Sequence, residues 1–243
     1  MKVFKFGGAS VKDAAGVQNL VLVLEKVGFK ETLIVVSAMG KTTNALEAII
    51  ETYFKNKKQT PKGILALKQF HLDVVKDLFR EESGEVETAI HQLFEELITF
   101  FNTNKSPDYS FVYDQVVSYG ELLSTTIIHY FVQKKKMDSF WLDARNCIKT
   151  DDYYRSANLN WDQTQTFIKS GAKGHQLIIT QGFIGSNSNN FTTTLGREGS
   201  DYSAAIFAYA LNAESVTIWK DCLLYTSDAA DEGLGVDLGG RRI

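Results

Sequence analysis

Apolar residues recur along this chain in two rhythms. Residues 2–6, KVFKF, make a short β-rich run; after a glycine pair, Val17, Leu20, Val21, Leu24 and Val27 return at helical spacing until Gly28 stops them. TLIVVS (32–37) is then a continuous apolar run, as in a strand buried on both faces. Strand, helix and parallel strand make a βαβ unit, so the chain opens as an α/β protein. Residues 43–104 read as helical, with amphipathic stretches such as ALKQFHLDVVKDLF and IHQLFEELITFF. ELLSTTIIHYFVQKK continues as helix, SFWLDA (139–144) as strand, WDQTQTFIKSG as helix and QLIITQGFIG (176–185) as one strand. SNSNNFTTTLGREGS is a polar, Gly-punctuated loop, followed by the helix DYSAAIFAYALN and the strand ESVTIW (214–219). Without internal repeats or a Pro-rich linker, the pattern predicts one α/β unit up to about residue 221.

Composition narrows the picture only a little. A chain of 243 residues can bury a sizeable core, and 44% hydrophobic with 23% charged residues is ordinary for a globular protein. A net charge of -3 gives no electrostatic reason to expect nucleic acid or a membrane surface as partner. The N-terminus lacks the pattern of a signal peptide, and Cys147 and Cys222 stand far apart without metal-ligand spacing, which suits a reducing cytoplasm. Four scattered histidines argue against a zinc site.

Four stretches carry candidate chemistry. KFGGAS (5–10) sets Lys5 and the pair Gly7-Gly8 between the first strand and a helix, where exposed backbone N–H groups, a helix N-terminus and an ammonium could cradle phosphate. It matches neither the P-loop nor the Rossmann fingerprint, and by itself it reads first as a tight turn under ordinary packing. VVSAMGKTTNAL (35–46) joins a buried strand to a helix through a small polar loop, the place where open α/β sheets bind ligands. VVSYGELLSTT (116–126) puts Glu121 at the opening of a helix, where a carboxylate alone would only complement the dipole. TTLGREGSDYSAA (193–205) gathers hydroxyls, two glycines, Arg197 and Ser200-Asp201 at another helix start.

Together and in this order, these stretches resemble the aspartate kinases of the amino acid kinase superfamily. KFGGAS is similar to the family's Lys-Phe-Gly-Gly-Thr-Ser opening, with Ala9 in place of threonine. VSAMGKTTN resembles its Ser-Ala…Thr-Asn loop, SYGELLS its Gly-Glu segment, and LDARNCIKTDD (142–152) a stretch around the site. TTLGREGSDYSAA resembles Gly-Arg-Gly-Gly-Ser-Asp, with Glu198 at a position that varies between members. The resemblance implies a three-layer α/β/α sandwich with a mainly parallel sheet, of carbamate kinase-like type. It also implies transfer of the γ-phosphoryl group of ATP to the side-chain carboxylate of L-aspartate, feeding lysine, threonine and methionine biosynthesis.

That carboxylate is already ionised at pH 7, so no general base is needed. The obstacle is repulsion between an anion and a polyanion, to be met by neutralisation and positioning. By resemblance, Lys5 lies beside the transferring group, oriented by Asp201. Phe6, Gly7, Gly8 and Ser10 belong to the ATP loop, and Lys220 and Asp221 to the nucleoside site. Glu121 binds the substrate ammonium, Arg197 grips the α-carboxylate, and Ser37, Thr43 and Ser200 add hydrogen bonds. Magnesium would be held by the nucleotide and water, with no protein ligand named. The parent enzyme is expected to be a cytoplasmic homo-oligomer.

Beyond Asp221 the family's pattern is lost. Residues 222–243 resemble a translated sequencing adapter, whose transposon end encodes Cys-Leu-Leu-Tyr-Thr-Ser. The expectation is therefore an incomplete catalytic domain over 1–221, a non-native tail, no regulatory ACT domains, and a poorly soluble, inactive polypeptide. Two other readings stay open: a kinase for glutamate or carbamate, and a nucleotide-binding module without catalysis.

Overall fold

The computed structural model describes residues 1–220; Asp221 and the tail at 222–243 lie outside the described residues. Its frame is a five-stranded parallel sheet in the order β3-β4-β2-β1-β7. The strands are β1 (Lys2–Phe6), β2 (Thr32–Val36), β3 (Phe140–Leu142), β4 (Leu177–Gln181) and β7 (Ser215–Trp219). In register, Lys5 stands opposite Val35 on one side and Ile218 on the other.

Strand alternation divides the interior into two cores, because successive side chains point to opposite faces. Phe4, Phe6, Ile34, Val36 and Ile179 meet a layer made by α1 (Ala14–Val27), α2 (Thr42–Lys55), α3 (Thr60–Phe79), α4 (Gly84–Thr103), α5 (Tyr109–Val117) and α6 (Tyr119–Lys134). Val3, Leu33, Val35 and Ile178 face the opposite layer, made by α7 (Ala144–Cys147), α8 (Trp161–Ala172) and α9 (Gly199–Ala210). The result is the expected three-layer sandwich. Lys5 shares its sheet face with Val3, so its side chain leaves the strand toward α9.

Local chemistry explains the element ends. Asp13 caps α1 by accepting from the Gly16 N–H at 2.8 Å, and Gly28 closes it with φ 87°, a conformation glycine adopts at little cost. Asn160 caps α8 in the same way through Gln163 N–H.

Three expectations need correction. The run 176–185 is not one strand: β4 ends at Gln181, Phe183 turns the chain with φ 70°, and β5 (Ile184–Ser186) belongs to a separate antiparallel hairpin with β6 (Thr192–Thr194). An apolar run cannot display such a turn, since both halves are buried. Thr192–Thr194, read above as loop, is buried strand because its polar groups find partners inside. Asp114 on α5 accepts from Thr194 N–H (2.9 Å) and Oγ1 (2.8 Å), and Gln115 pairs with both backbone groups of Thr192. Residues 109–117, unassigned by the pattern, form α5, which breaks at Ser118 just before α6. No helix among the described residues is long and apolar enough to cross a membrane.

Candidate active site

Strands β1, β2 and β4 all run the same way, so the loops after them open at one edge of the sheet, where α/β folds place ligands. A cleft of about 390 Å³ lies there. Each of the four stretches with candidate chemistry contributes to it: Lys5 and Gly8; Ser37, Ala38, Gly40 and Thr43; Glu121; and Ser200 and Asp201; Lys220 joins them.

Lys5 Nζ lies 2.7 Å from Asp201 Oδ1, with the lysine side chain 9% exposed. Asp201 sits in the first turn of α9, whose N-terminus faces the cleft through Gly199 and Ser200. Lys220 approaches the same carboxylate from the solvent side, 3.9 Å from Oδ2. Two ammonium groups and a helix N-terminus thus meet around the Asp201 carboxylate, with Glu198 also in the cleft wall.

Glu121 lines the same cleft. Its Oε1 accepts from Ala38 N–H at 3.2 Å, while Oε2 is buried with no hydrogen-bond partner. The residue is 3% exposed, and burial pushes its carboxyl up to about 8, with hydrogen bonds from the Ala38 backbone and its own backbone pulling the other way. A buried carboxyl oxygen without a partner, on a residue that lines a cleft, is a costly arrangement unless something arrives to meet it.

The two glycines of KFGGAS do different things. A Cβ on Gly8 would come within 2.6 Å of the Ala38 carbonyl oxygen, and Gly40 N–H donates to Gly8 C=O at 3.0 Å. Gly8 therefore lets the loops after β1 and β2 touch. A Cβ on Gly7 would meet only Lys5 Nζ, at 3.5 Å, so this glycine keeps the space beside the ammonium open.

Other predicted residues fall outside the cleft wall. The Phe6 ring is buried and stacked on Trp219, with centroids 6.0 Å apart and planes 9° apart. Ser10 Oγ donates to Trp219 C=O at 3.2 Å. Arg197 is exposed and does not line the cleft, although its neighbours Gly196 and Glu198 do. Residues 142–152 do not line it either: Asp143 holds Arg145 at 2.6 Å, and Asp151 accepts from Asn158. Asp221 lies outside the described residues.

Sequence reasoning missed Phe183, Gly40 and Glu198, all of which line the cleft. Phe183 and Glu198 have positive φ, 70° and 57°. Such backbone values in non-glycine residues cluster at functional sites but leave no mark in one sequence.

A cation pair, a helix N-terminus and an open buried carboxylate at the carboxyl edge of a parallel sheet define a site for an anion and an ammonium together. The chain belongs to the amino acid kinase family, whose model matches residues 1–232. Among relatives of known name it is 31% identical over 236 residues to lysine-sensitive aspartokinase 3 of Escherichia coli, with 93% of this chain and 50% of that protein covered. It is 30% identical over 228 residues to an aspartokinase of Chlamydia pneumoniae, covering 93% of this chain and 49% of the relative. The crystal structure of E. coli aspartokinase III with lysine and aspartate superposes with a TM-score of 0.83 at 29% identity, over 91% of this chain and 49% of that one. The same enzyme with aspartate and ADP gives 0.82. The chain thus spans about half the length of the relatives it matches.

Proposed function

We propose that this chain is the catalytic part of an aspartate kinase. A carboxylate oxygen of L-aspartate attacks the γ-phosphorus of ATP, the bond to the bridging β,γ-oxygen breaks, and ADP and 4-phospho-L-aspartate leave. The observation that carries this reading is the unpartnered oxygen of buried Glu121, a residue that lines the same cleft as the Lys5–Asp201 pair. An amino acid with its ammonium on Glu121 presents its other end toward the cations.

Lys5 neutralises charge on the transferring group, and Asp201 fixes the direction of the Lys5 ammonium. Lys220, with Asp221, contacts the nucleotide, as does the loop formed by Gly7, Gly8 and Ser10; Phe6 acts there only through its backbone. Ser37, Thr43 and Ser200 donate to substrate oxygens. Arg197 closes on the α-carboxylate from its exposed position as the substrate enters. Magnesium, carried in by the nucleotide, adds charge neutralisation on the phosphates. The likeness to E. coli aspartokinase III, solved with aspartate and ADP, supports the choice of substrates. The enzyme is a cytoplasmic homo-oligomer on this reading.

The test is acyl-phosphate trapping. The chain, extended with the C-terminal half of the E. coli relative, is incubated with ATP, magnesium, hydroxylamine and one acid at a time. Hydroxamate from L-aspartate, and not from L-glutamate or carbamate, is expected; none from aspartate would overturn the reading.

A further inference from the structure

Glu121 stands at the weakest point of its helix. Helix α5 breaks at Ser118, so the first turn of α6 has no continuous helix ahead of it to fix its position. Yet a binding carboxylate must be placed to within a fraction of an ångström. What holds that turn is a set of side chains within and beyond the 116–126 stretch to which the sequence alone assigns no role.

Thr125 is the centre of the set. Its hydroxyl donates its single proton to Glu121 C=O at 2.8 Å. The same oxygen accepts from Gln181 Nε2 at 2.8 Å and from Trp141 Nε1 at 3.1 Å. One donated and two accepted bonds use the full capacity of a hydroxyl, and Thr125 and Gln181 are fully buried. The other end of Gln181 is fixed as well: its Oε1 accepts from Ala144 N–H at 2.8 Å. Next to Thr125, Ser124 Oγ donates to Ser37 C=O at 2.8 Å.

These partners sit on three neighbouring strands or just past them. Gln181 ends β4, Trp141 lies in β3, and Ser37 follows β2. The turn that bears Glu121 is thereby registered to the sheet whose carboxyl edge forms the cleft. We infer that Thr125, held by Gln181 and Trp141, is the positioning residue that sets Glu121 for the substrate ammonium. The inference rests on the reading of Glu121 given above. Removing the Thr125 hydroxyl leaves the buried Gln181 amide and the half-buried Trp141 indole without their acceptor and frees the turn, and aspartate loses its aligned partner. The cation end of the cleft is untouched.

The test titrates L-aspartate and, separately, ADP into the 243-residue chain by calorimetry, for wild type, Thr125→Val, Thr125→Ser and Gln181→Met. Thr125→Val keeps the shape and is expected to weaken aspartate about tenfold, with ADP affinity unchanged. Thr125→Ser keeps the hydroxyl and stays within about twofold of wild type. Gln181→Met breaks the same bond from the sheet side and follows Thr125→Val, so the idea stays testable if one variant fails to fold. The chain has three tryptophans, so its indole N–H resonances are few; that of Trp141 must shift in Thr125→Val and not in Thr125→Ser. Equal aspartate affinity in Thr125→Val and wild type, or parallel loss of aspartate and ADP, would overturn the inference while leaving the proposed function standing. A wild-type chain that binds ADP and ignores aspartate would overturn that function and this inference with it.

Discussion

Lys5 Nζ and Asp201 Oδ1, 196 positions apart in the chain, lie 2.7 Å from each other across the cleft floor. The strand period turns Lys5 toward α9, and the first turn of α9 puts Asp201 there to receive it. The carboxylate holds the ammonium without hiding it, since both line the cleft. On this account Asp201 aims a cation and takes no proton. Asp201→Asn in the extended chain is therefore expected to lower kcat roughly a hundredfold, with KM for aspartate little changed. Full activity in that variant would remove Asp201 from the mechanism.

Binding of aspartate should release a proton. Burial holds the Glu121 carboxyl near 8, so at pH 7 it is mostly protonated in the free protein, and an arriving ammonium favours the ionised form. Calorimetry at pH 7 in buffers of different ionisation enthalpy should show net proton release on binding aspartate, falling toward zero above about pH 9. Affinity for aspartate should rise from pH 6 to 8 and level off above. In Glu121→Gln both the proton release and the tight binding disappear.

The same group shapes stability. Its folded pKa lies above its unfolded value, so its contribution is full below about 4.5 and is lost as pH rises toward 8. Asp114, raised by burial to about 6, has the same sign but finishes its loss earlier. Glu121 should therefore cost up to about 1.4 kcal/mol per pH unit between pH 6 and 8. Near pH 6 to 7 this is offset by His71 and His129, whose burial lowers their pKa and works with the opposite sign, so the net loss is clearest between pH 7 and 8. Glu121→Gln should flatten that slope and raise Tm at pH 8. Urea unfolding across this window checks it.

Glu198 precedes α9 with φ 57°, in the left-handed region. A left-handed conformation costs a side-chain-bearing residue energy that glycine avoids. Glu198→Gly should stabilise the chain by about 1 kcal/mol, measured by urea unfolding.

What the sequence revealed depended on how local the physics was. The β1–α1–β2 unit and the cleft stretches at Lys5, Ser37, Glu121 and Ser200-Asp201 were legible because each places its signal within a few residues. Phe183 was not, because the bend between β4 and β5 lies inside an unbroken apolar run. Thr192–Thr194 looked like a solvated loop, for its partners Asp114 and Gln115 lie some eighty positions away. Thr125 and Gln181 were hidden for the same reason: a buried hydroxyl and amide look like surface residues until the fold brings them together. Phe6 was assigned to ATP by its motif, but its ring stacks on Trp219 in the core.

The account rests on Lys5 as the cation that lets two anions meet, and replacing it tests this most directly. Hydroxamate formation from aspartate and ATP is compared between the extended chain and its Lys5→Met variant at saturating substrates. The prediction is a fall in rate of at least about a hundredfold, with aspartate still bound through Glu121. An undiminished rate in Lys5→Met would contradict it.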